Sequence, residues 1–298
     1  MAALRLGVIG LSEGNGHPYS WSAIFNGYDR VAMEDCGFPV IPRYLEKQEF
    51  PDDAIAEASV THVWAQEKEI AAHIARAARI EHVVDRYTDM IGRVDGVLLA
   101  RDDAEAHYEF AAPFLLAGLP VYIDKPLALS RAEAKRLLVL ERYPGQLYSC
   151  SAMRYAKEFQ LSAADRAELG GLRQILATAP KDWAKYAVHV IEPLLLVASD
   201  RGGLQRSCAW RSGDSTTLAA EFTSGLRVLV STAGSCSAPI ALRVMGDLGW
   251  KDLYFRDTYH AFKTALQEFV RGIVKRDVRI EPVFMLEVAS LIEAGMDA

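Results

Sequence analysis

The sequence lacks the features of membrane, secreted and metal-binding proteins. No apolar run approaches the roughly 18 residues of a transmembrane helix, and the N-terminal apolar stretch is too short for a signal peptide. Cys36, Cys150, Cys208 and Cys236 are far apart and form no C-x-x-C pair, so neither a disulfide framework nor a metal site is predicted. We expect reduced, mostly buried thiols in a soluble protein of the cytoplasm.

A basic excess is absent as well. The chain has 33 Lys and Arg against 39 Asp and Glu, a net charge of −6, and no basic run, so a nucleic-acid partner is not expected. Internal repeats and low-complexity tracts are also missing. With 298 residues, 51% of them hydrophobic and 24% charged, the sequence is typical of a soluble globular protein long enough for two domains.

The first part of the chain alternates short apolar runs with helical patterns. This rhythm predicts an α/β fold, a doubly wound Rossmann domain with a parallel sheet, whose ligand lies at the carboxyl ends of the strands. Residues 27–58 contain three prolines and are interpreted as an irregular surface excursion. The predicted strands are residues 4–11, 60–66, 82–84, 95–101 and 120–126.

The pattern changes after residue 170. Six runs, several alternating with period two, are separated by turn residues and followed by two helices. These features predict an α+β domain with a mostly antiparallel open sheet. We therefore expect a dinucleotide-binding domain over 1–126 and a substrate-binding and oligomerisation domain over 127–298.

The stretch GVIGLSEGNGHPYS, residues 7–20, follows the first predicted strand. It departs from the G-x-G-x-x-G fingerprint because Ser12 takes the place of the second glycine. Pro18 suits a first helical turn. We interpret the stretch as a lengthened dinucleotide loop in which Ser12 or His17 fills the gap to the pyrophosphate; a mobile glycine bend is the alternative. The candidate cofactor residues here are Gly10, Ser12, Gly14, Asn15, Gly16 and His17.

The segment VYIDKPLALSRAEAKRLL, which starts at residue 121, resembles the E-K-P segment of the Gfo/Idh/MocA oxidoreductases, the glucose–fructose oxidoreductase and inositol dehydrogenase family. The residues before it, including His107, and the two closing helices are similar to that family in order and spacing. The resemblance implies that Lys125 lies beside the nicotinamide and the substrate hydroxyl. It also implies a cofactor-contacting Pro126, often in cis, while Asp124 replaces the usual glutamate.

The same resemblance implies a histidine general base. His189 matches the histidine of a D-x-G-x-H motif, but Lys185 stands in place of its aspartate. If residues 183–192 are helical, Lys185, His189 and Glu192 share one face, and Pro193 kinks or breaks the helix. Lys185 then either binds an anionic group of the substrate or points to solvent without a role. The remaining candidate substrate-binding residues are Trp183, Tyr186 and Arg154, and Trp183 and Tyr186 could also be plain core.

Acidic and basic residues follow two other predicted strands. Glu67 lies where the acid that binds the adenine ribose belongs, and such a carboxylate favours NAD over NADP; the alternative is a helix-dipole contact alone. Arg101 and Asp102, with Asp103, stand where relatives have A-T-P-N and contact the cofactor. They could equally be loop residues without a special function.

Together these features predict an NAD(P)-dependent oxidoreductase. Lys125 would stabilise an alkoxide and His189 would move the proton on a hydroxyl of a sugar, polyol or sugar-derived substrate, which could be anionic. No metal is required. The alternative is a nicotinamide-cofactor-binding protein without turnover, a sensor or scaffold. Because relatives pair through the C-terminal sheet, we expect a homodimer or homotetramer.

Overall fold

The structure, a computed structural model, describes residues 3–298. Contacts divide these residues into two compact units. The first comprises the described residues up to 128, with 133–149 and 262–282, and the second comprises 129–132, 150–261 and 283–298. The first unit therefore draws on both sides of residue 126, whereas the second lies entirely after it, and the boundary proposed there stays a prediction.

The first unit is built on a parallel sheet, as the sequence predicts. Its strands are β1 (Leu4–Ile9), β2 (Ala58–Trp64), β3 (His82–Val83), β4 (Gly96–Leu99), β5 (Val121–Ile123) and β6 (Leu147–Tyr148). They lie in the order β3-β2-β1-β4-β5-β6, and all pairs are parallel. The doubly wound fold class is confirmed. The sequence did not indicate β6.

Helices follow the strands of this sheet. They are α1 (His17–Asn26), α2 (Arg30–Glu34), α3 (Val40–Leu45), α4 (Lys68–Ala77), α5 (His107–Leu116) and α6 (Arg131–Leu138), with 3₁₀ turns at Tyr87–Met90 and Ala104–Ala106. The prediction that residues 27–58 are irregular is wrong in part. Prolines are tolerated in a first helical turn, so Pro42 does not prevent α3, and Met33, Ile41 and Leu45 are buried.

Helix α10 (Thr258–Lys275) explains why a late segment joins the first unit. Trp21 stacks on Tyr122, with ring centroids 4.6 Å apart, and Phe269 of α10 lies 5.7 Å from Tyr122. A Cβ on Gly96 would come within 2.9 Å of Ile273 Cδ1, so this glycine leaves room for α10. The aromatic cluster buries one face of the sheet at its carboxyl half.

The second unit contains a mixed sheet. Its strands are β7 (Leu172–Ala179), β8 (Leu204–Ser212), β9 (Ser215–Phe222), β10 (Arg227–Thr232), β11 (Ala241–Gly246) and β12 (Trp250–Tyr254). The order is β12-β11-β7-β10-β9-β8, and only β10 and β7 pair in parallel. All six predicted runs are strands, and the mostly antiparallel character is confirmed.

Alternation along these strands separates two faces. Helix α9 (Val188–Val197) contacts β7 and β11 on the buried face, and Trp210 and Trp250 are exposed on the other. Cys208 and Cys236 are exposed as well, so the expectation of mostly buried thiols is wrong for two of the four. The other helices are α7 (Ala163–Leu169), α8 (Trp183–Tyr186) and α11 (Pro282–Met296), with 3₁₀ turns at Ala152–Tyr155 and Lys157–Phe159.

Candidate active site

The glycine loop lies between β1 and α1, at the carboxyl end of the parallel sheet. A Cβ on Gly10 would overlap the Pro18 ring, so the loop turns into α1 only with glycine there. Gly14 has a φ of 76° and is exposed, with no atom within 4 Å of an ideal Cβ. A left-handed residue with open space beside it lets the backbone approach a ligand closely.

Asp124 fixes this loop from the end of β5. Asn15 Nδ2 donates to Asp124 Oδ2 at 2.8 Å, and His17 Nδ1 lies 2.5 Å from the same oxygen. Asn15 Oδ1 accepts from the His17 backbone N–H at 2.8 Å. The side chains of Asn15 and His17 thus hold the loop in shape. What remains for a ligand is the backbone around Gly14 and the imidazole edge of His17, whose side chain is 17% exposed.

Lys125 forms a buried ion pair at the same strand end. Its Nζ lies 3.3 Å from Asp102 Oδ2, and Ser12 Oγ donates to Asp102 Oδ1 at 2.8 Å. All three residues are at most 6% exposed. Burying an ammonium is costly unless a carboxylate and further hydrogen bonds compensate, so Asp102 and Ser12 are what allow Lys125 to be charged here. The Lys125–Pro126 peptide bond is cis.

Arg101 and His107 shape the loop after β4. Arg101 donates to the Leu11 carbonyl at 3.2 Å and pairs with Asp103, with its Nη2 2.5 Å from Oδ2. The two ring nitrogens of the buried His107 lie 3.0 Å from the Leu127 carbonyl and 2.8 Å from the Arg101 carbonyl. These contacts tie the β4 loop both to the glycine loop and to the segment after Pro126.

Gln66 is a residue that sequence reasoning placed at the strand end but did not select. Its amide accepts from the Leu11 N–H at 3.0 Å and donates to the Leu11 carbonyl at 2.8 Å. The neighbouring Glu67 is exposed and precedes the first residue of α4, with no capping hydrogen bond from its side chain. The carboxylate of Glu67 is therefore presented to solvent beside the glycine loop.

In the second unit, His189 belongs to a buried polar cluster. Its Nδ1 lies 2.8 Å from Ser151 Oγ, and the Ser151 N–H donates to Glu192 Oε1 at 2.7 Å. Arg154 Nη1 donates to Glu192 Oε2 at 3.1 Å. The structure thus brings together His189, Glu192 and Arg154, three of the candidate site residues. Ser151 was missed because its contact with His189 spans 38 residues, and no local pattern signals it.

Burial strongly affects the Glu192 carboxyl of this cluster. Burial raises the pKa of Glu192 to about 7, although Arg154 and the Ser151 N–H act in the opposite direction. Desolvation disfavours the carboxylate more than one arginine and one amide favour it. Near neutral pH, the Glu192 carboxyl therefore exchanges between its protonated and its charged form.

The predicted helix over 183–192 is divided at Ala187 into α8 and α9, and α9 continues through Pro193. Lys181 Nζ donates to Tyr186 Oη at 2.5 Å, and the Tyr186 ring lies 5.3 Å from His189. Trp183 is 3% exposed and donates to the Ile292 carbonyl at 2.8 Å. These contacts support the alternative that Trp183 is a core residue. Lys185 is half-buried, and its N–H is capped by Asp182.

The residues of the first unit fit a dinucleotide. Open space beside a left-handed glycine, the N-terminus of a ten-residue helix and an exposed carboxylate at the next strand end are what a pyrophosphate and a ribose require. A family model described as an oxidoreductase family with an NAD-binding Rossmann fold, Gfo/Idh/MocA, matches residues 4–151. The chain belongs to the Gfo/Idh/MocA family. It is accordingly an oxidoreductase of a nicotinamide-binding family.

Solved structures agree with this Gfo/Idh/MocA fold. UDP-N-acetylglucosamine 3-dehydrogenase from Acidithiobacillus ferrooxidans is 16% identical, with 99% of this chain and 97% of that chain covered and a TM-score of 0.73. Myo-inositol 2-dehydrogenase from Lactobacillus plantarum is 14% identical, with 99% and 98% covered and a TM-score of 0.73.

A third similar structure is myo-inositol dehydrogenase from Lactobacillus casei in complex with NAD(H) and myo-inositol. It is 14% identical, with 99% of this chain and 94% of that chain covered and a TM-score of 0.73. A search of curated protein sequences returns no match. Among residues 3–298, none of the helices has the length and apolar character to cross a bilayer.

Proposed function

We propose that this member of the Gfo/Idh/MocA family transfers a hydride between NAD(P) and a hydroxyl or keto group of a sugar, polyol or sugar-derived substrate. The observation that carries the proposal is Lys125, a buried lysine at the carboxyl end of the parallel sheet, charge-paired with Asp102 and beside the glycine loop. Three similar structures are, by their titles, dehydrogenases of a sugar nucleotide or of inositol.

In this proposal Lys125 and His189 divide the work on the reacting oxygen. Bound NAD supplies the hydride acceptor at its nicotinamide ring. The Lys125 ammonium donates a hydrogen bond to the substrate oxygen and stabilises negative charge there, while Asp102, itself hydrogen-bonded by Ser12, holds the Lys125 Nζ. His189 takes up or returns the hydroxyl proton. Pro126 and Asp124, the neighbours of Lys125 in the sequence, orient the chain at the end of the strand.

Cofactor binding is proposed to use the loop 10–17, Arg101, Asp102 and Glu67. Backbone groups around Gly14 receive the pyrophosphate, and the exposed Glu67 accepts from the ribose hydroxyls. A carboxylate at that position repels a 2′-phosphate, which supports NAD over NADP.

Substrate binding is proposed to use residues of the second unit. Arg154, Tyr186 and Glu192 lie in the same cluster as His189, and Lys185 either binds an anionic group of the substrate or is a bystander. Lys185→Ala distinguishes these alternatives, since loss of substrate affinity without loss of cofactor affinity supports the anionic substrate. Unchanged kcat and KM would leave Lys185 without a role. In this proposal Trp183 only supports the site as a core residue.

Self-association is proposed to use the open face of the second sheet. In register across three central strands, this face presents Gln174, Leu176 and Thr178 beside Arg227, Leu229 and Ser231, and next to Met245, Arg243 and Ala241. Exposed Trp210 and Trp250 lie on its outer strands. Such a face favours a homodimer or homotetramer, and a monomer at micromolar concentration by light scattering would contradict this.

We also propose a cytoplasmic location.

The second candidate function is nicotinamide binding without turnover. The observation that favours it is Lys185 in place of the family aspartate, because the usual carboxylate beside the histidine is then absent from that position. Calorimetric titration with NAD(H) and NADP(H) tests what both candidates share, and absence of binding would contradict both. A screen of sugars, polyols and sugar nucleotides by NADH absorbance then separates them, since only the enzyme turns substrate over.

A further inference from the structure

Strand β8 forms one edge of the mixed sheet in the second unit and is open along its outer side. It is nine residues long, and within residues 3–298 it pairs only with β9. Eight of the nine residues are exposed, so this strand projects beyond the helices that bury the centre of the sheet. The backbone N–H and C=O groups that point away from β9 are therefore accessible to another strand.

The opposite edge of the same sheet, β12, is protected in the ways that natural proteins use against unwanted pairing. It is only five residues long and contacts α7 and the 3₁₀ turn Lys157–Phe159. Lys251 on β12 also forms an ion pair with Asp165 of α7. Three of its five residues are buried or half-buried, against one of nine in β8. The two edges of one sheet thus differ in length and in cover.

The sequence of β8, LQRSCAWRS, also lacks the usual means of keeping an edge strand single. It contains no proline, lysine or acidic residue. The charge of Arg206 is balanced within the chain, because Arg206 Nε donates to Glu221 Oε2 of β9 at 2.7 Å. Arg206, Cys208 and Trp210 alternate along the strand and so share one face of the sheet. A second strand can therefore approach without meeting an unbalanced charge at Arg206.

We propose that β8 pairs antiparallel with β8 of a second copy of this chain, around a two-fold axis perpendicular to the sheet. Such an axis keeps each face of the joined sheet continuous, and overlap of the full strands centres the pair on Cys208. Cys208 then lies opposite the partner's Cys208, and Arg206 lies opposite the partner's Trp210. A guanidinium beside an indole ring is a favourable pair, and it occurs twice because the contact is symmetric.

This edge contact is a different interface from the open-face contact proposed above and does not depend on it. Two sheets packed face to face are related by an axis that lies between them, whereas the axis of the edge pair is perpendicular to the sheet. Two perpendicular two-fold axes that intersect generate a closed tetramer. A chain that uses both surfaces therefore forms a homotetramer, and a chain that uses one surface forms a homodimer.

Disulfide trapping in the full-length protein tests the pairing and its register. Directly opposite residues of an antiparallel pair have Cα atoms about 4.5–5.5 Å apart, within the range that a disulfide spans. A register shifted by two residues would increase this distance to about 7–8 Å, which is too long. Mild oxidation with diamide should therefore link most wild-type chains in pairs through Cys208, with a yield independent of protein concentration in the micromolar range.

Two serine variants identify the linked thiols. Cys208→Ser should give no linked pair, and Cys236→Ser, which removes the other exposed cysteine, should leave the yield unchanged. A wild type without the Cys208 link would overturn the proposal. A yield that rises in proportion to concentration would also overturn it, because such a link forms by random collision.

Light scattering separates the edge from the open face. Cys208→Lys sets two ammonium groups opposite each other in the edge pair, and like charges directly opposite are unfavourable. This variant should have half the mass of the wild type, whereas Cys236→Lys, the matched control at an exposed position, should keep the full mass. Leu229→Lys changes the open face in the same way.

Each outcome decides one interface. A full wild-type mass in Cys208→Lys would overturn the edge pairing, whatever Leu229→Lys does. If Cys208→Lys halves the mass and Leu229→Lys does not, the edge pairing stands and the open-face contact is contradicted. A monomeric wild type contradicts both. Neither measurement uses NAD(H) or a substrate, so a failure of the proposed enzymatic function would leave these results unchanged.

Discussion

The glycine-loop region of the first unit and the histidine cluster of the second unit are held together by different interactions. In the first, Lys125 forms a buried ion pair with Asp102, and the His17 ring contacts the Asp124 carboxylate. In the second, a neutral hydroxyl, Ser151, connects His189 to the Glu192–Arg154 pair through its own backbone. The first region keeps the Lys-Pro pair of its motif, whereas in the second Lys185 stands in place of the motif aspartate and His189 contacts the distant Ser151.

This difference has a consequence for mutation. In the first region the buried charge of Lys125 is stabilised by the opposite charge of Asp102. Removing one partner leaves the other charge unpaired in a low-dielectric interior. In the second region His189 contacts a neutral hydroxyl, so we expect its removal to alter turnover more than stability.

The largest effect is expected at His189. His189→Ala removes the group that moves the proton, and general acid–base catalysis contributes about 10² to 10⁴ in rate, so kcat should fall by that factor while NAD(H) affinity changes little. NADH absorbance and calorimetry measure the two quantities. His260→Ala, which changes a half-buried histidine of α10, is the control. A kcat within threefold of wild type would remove His189 from the mechanism.

The ion pair of the first region should be visible as stability. Lys125→Met leaves Asp102 buried without its cation, and breaking a buried pair costs about 3–5 kcal/mol. Lys68→Met removes a pair of the same unit, with Asp85, in which both side chains are more than 75% exposed, and should cost less than about 1 kcal/mol. Urea unfolding gives both values. Equal losses of stability would show that the buried Lys125 pair stabilises the protein no more than the exposed Lys68 pair. The double variant Lys125→Met with Asp102→Asn should recover part of the stability lost in Lys125→Met.

Glu192 should give the second region a pH-dependent stability. Because the pKa of Glu192 is raised from 4.5 to about 7 on folding, the native state binds the proton more tightly than the unfolded state. The contribution of Glu192 to stability is therefore greatest below pH 4.5 and falls as the pH rises to 7, by on the order of 3 kcal/mol.

Thermal unfolding of wild type and Glu192→Gln across this range measures the difference, since the variant should lose that slope. Glu287→Gln is the control, because Glu287 pairs with Arg201 in the same unit but is more exposed. Identical slopes in wild type and Glu192→Gln would contradict the raised pKa.

The smallest effect is expected at Glu67. Glu67→Gln removes the carboxylate that favours the ribose hydroxyls over a 2′-phosphate, and the ratio of NAD to NADP affinity should fall about tenfold, or about 1.4 kcal/mol. Glu69→Gln on the first turn of α4 is the matched control, since it changes the same helix dipole. If both variants shift the ratio equally, Glu67 acts through the dipole alone.

The sequence by itself determined the fold class of both units and indicated candidate cofactor-binding residues in the first. Alternating apolar runs indicated the parallel sheet, period-two runs indicated the second sheet, and the D-K-P segment pointed to Lys125. These signals are local, because strand periodicity and short motifs are written in consecutive residues.

Only the tertiary structure decided which polar groups meet. Ser12 with Asp102, Gln66 with Leu11, and Ser151 with His189 join residues 38 to 90 positions apart. A buried hydroxyl or amide must find a partner wherever the packed core offers one, and that partner follows from the packing of whole elements. The sequence thus identified His189 as a candidate site residue, and only the tertiary structure showed its hydrogen-bond partner.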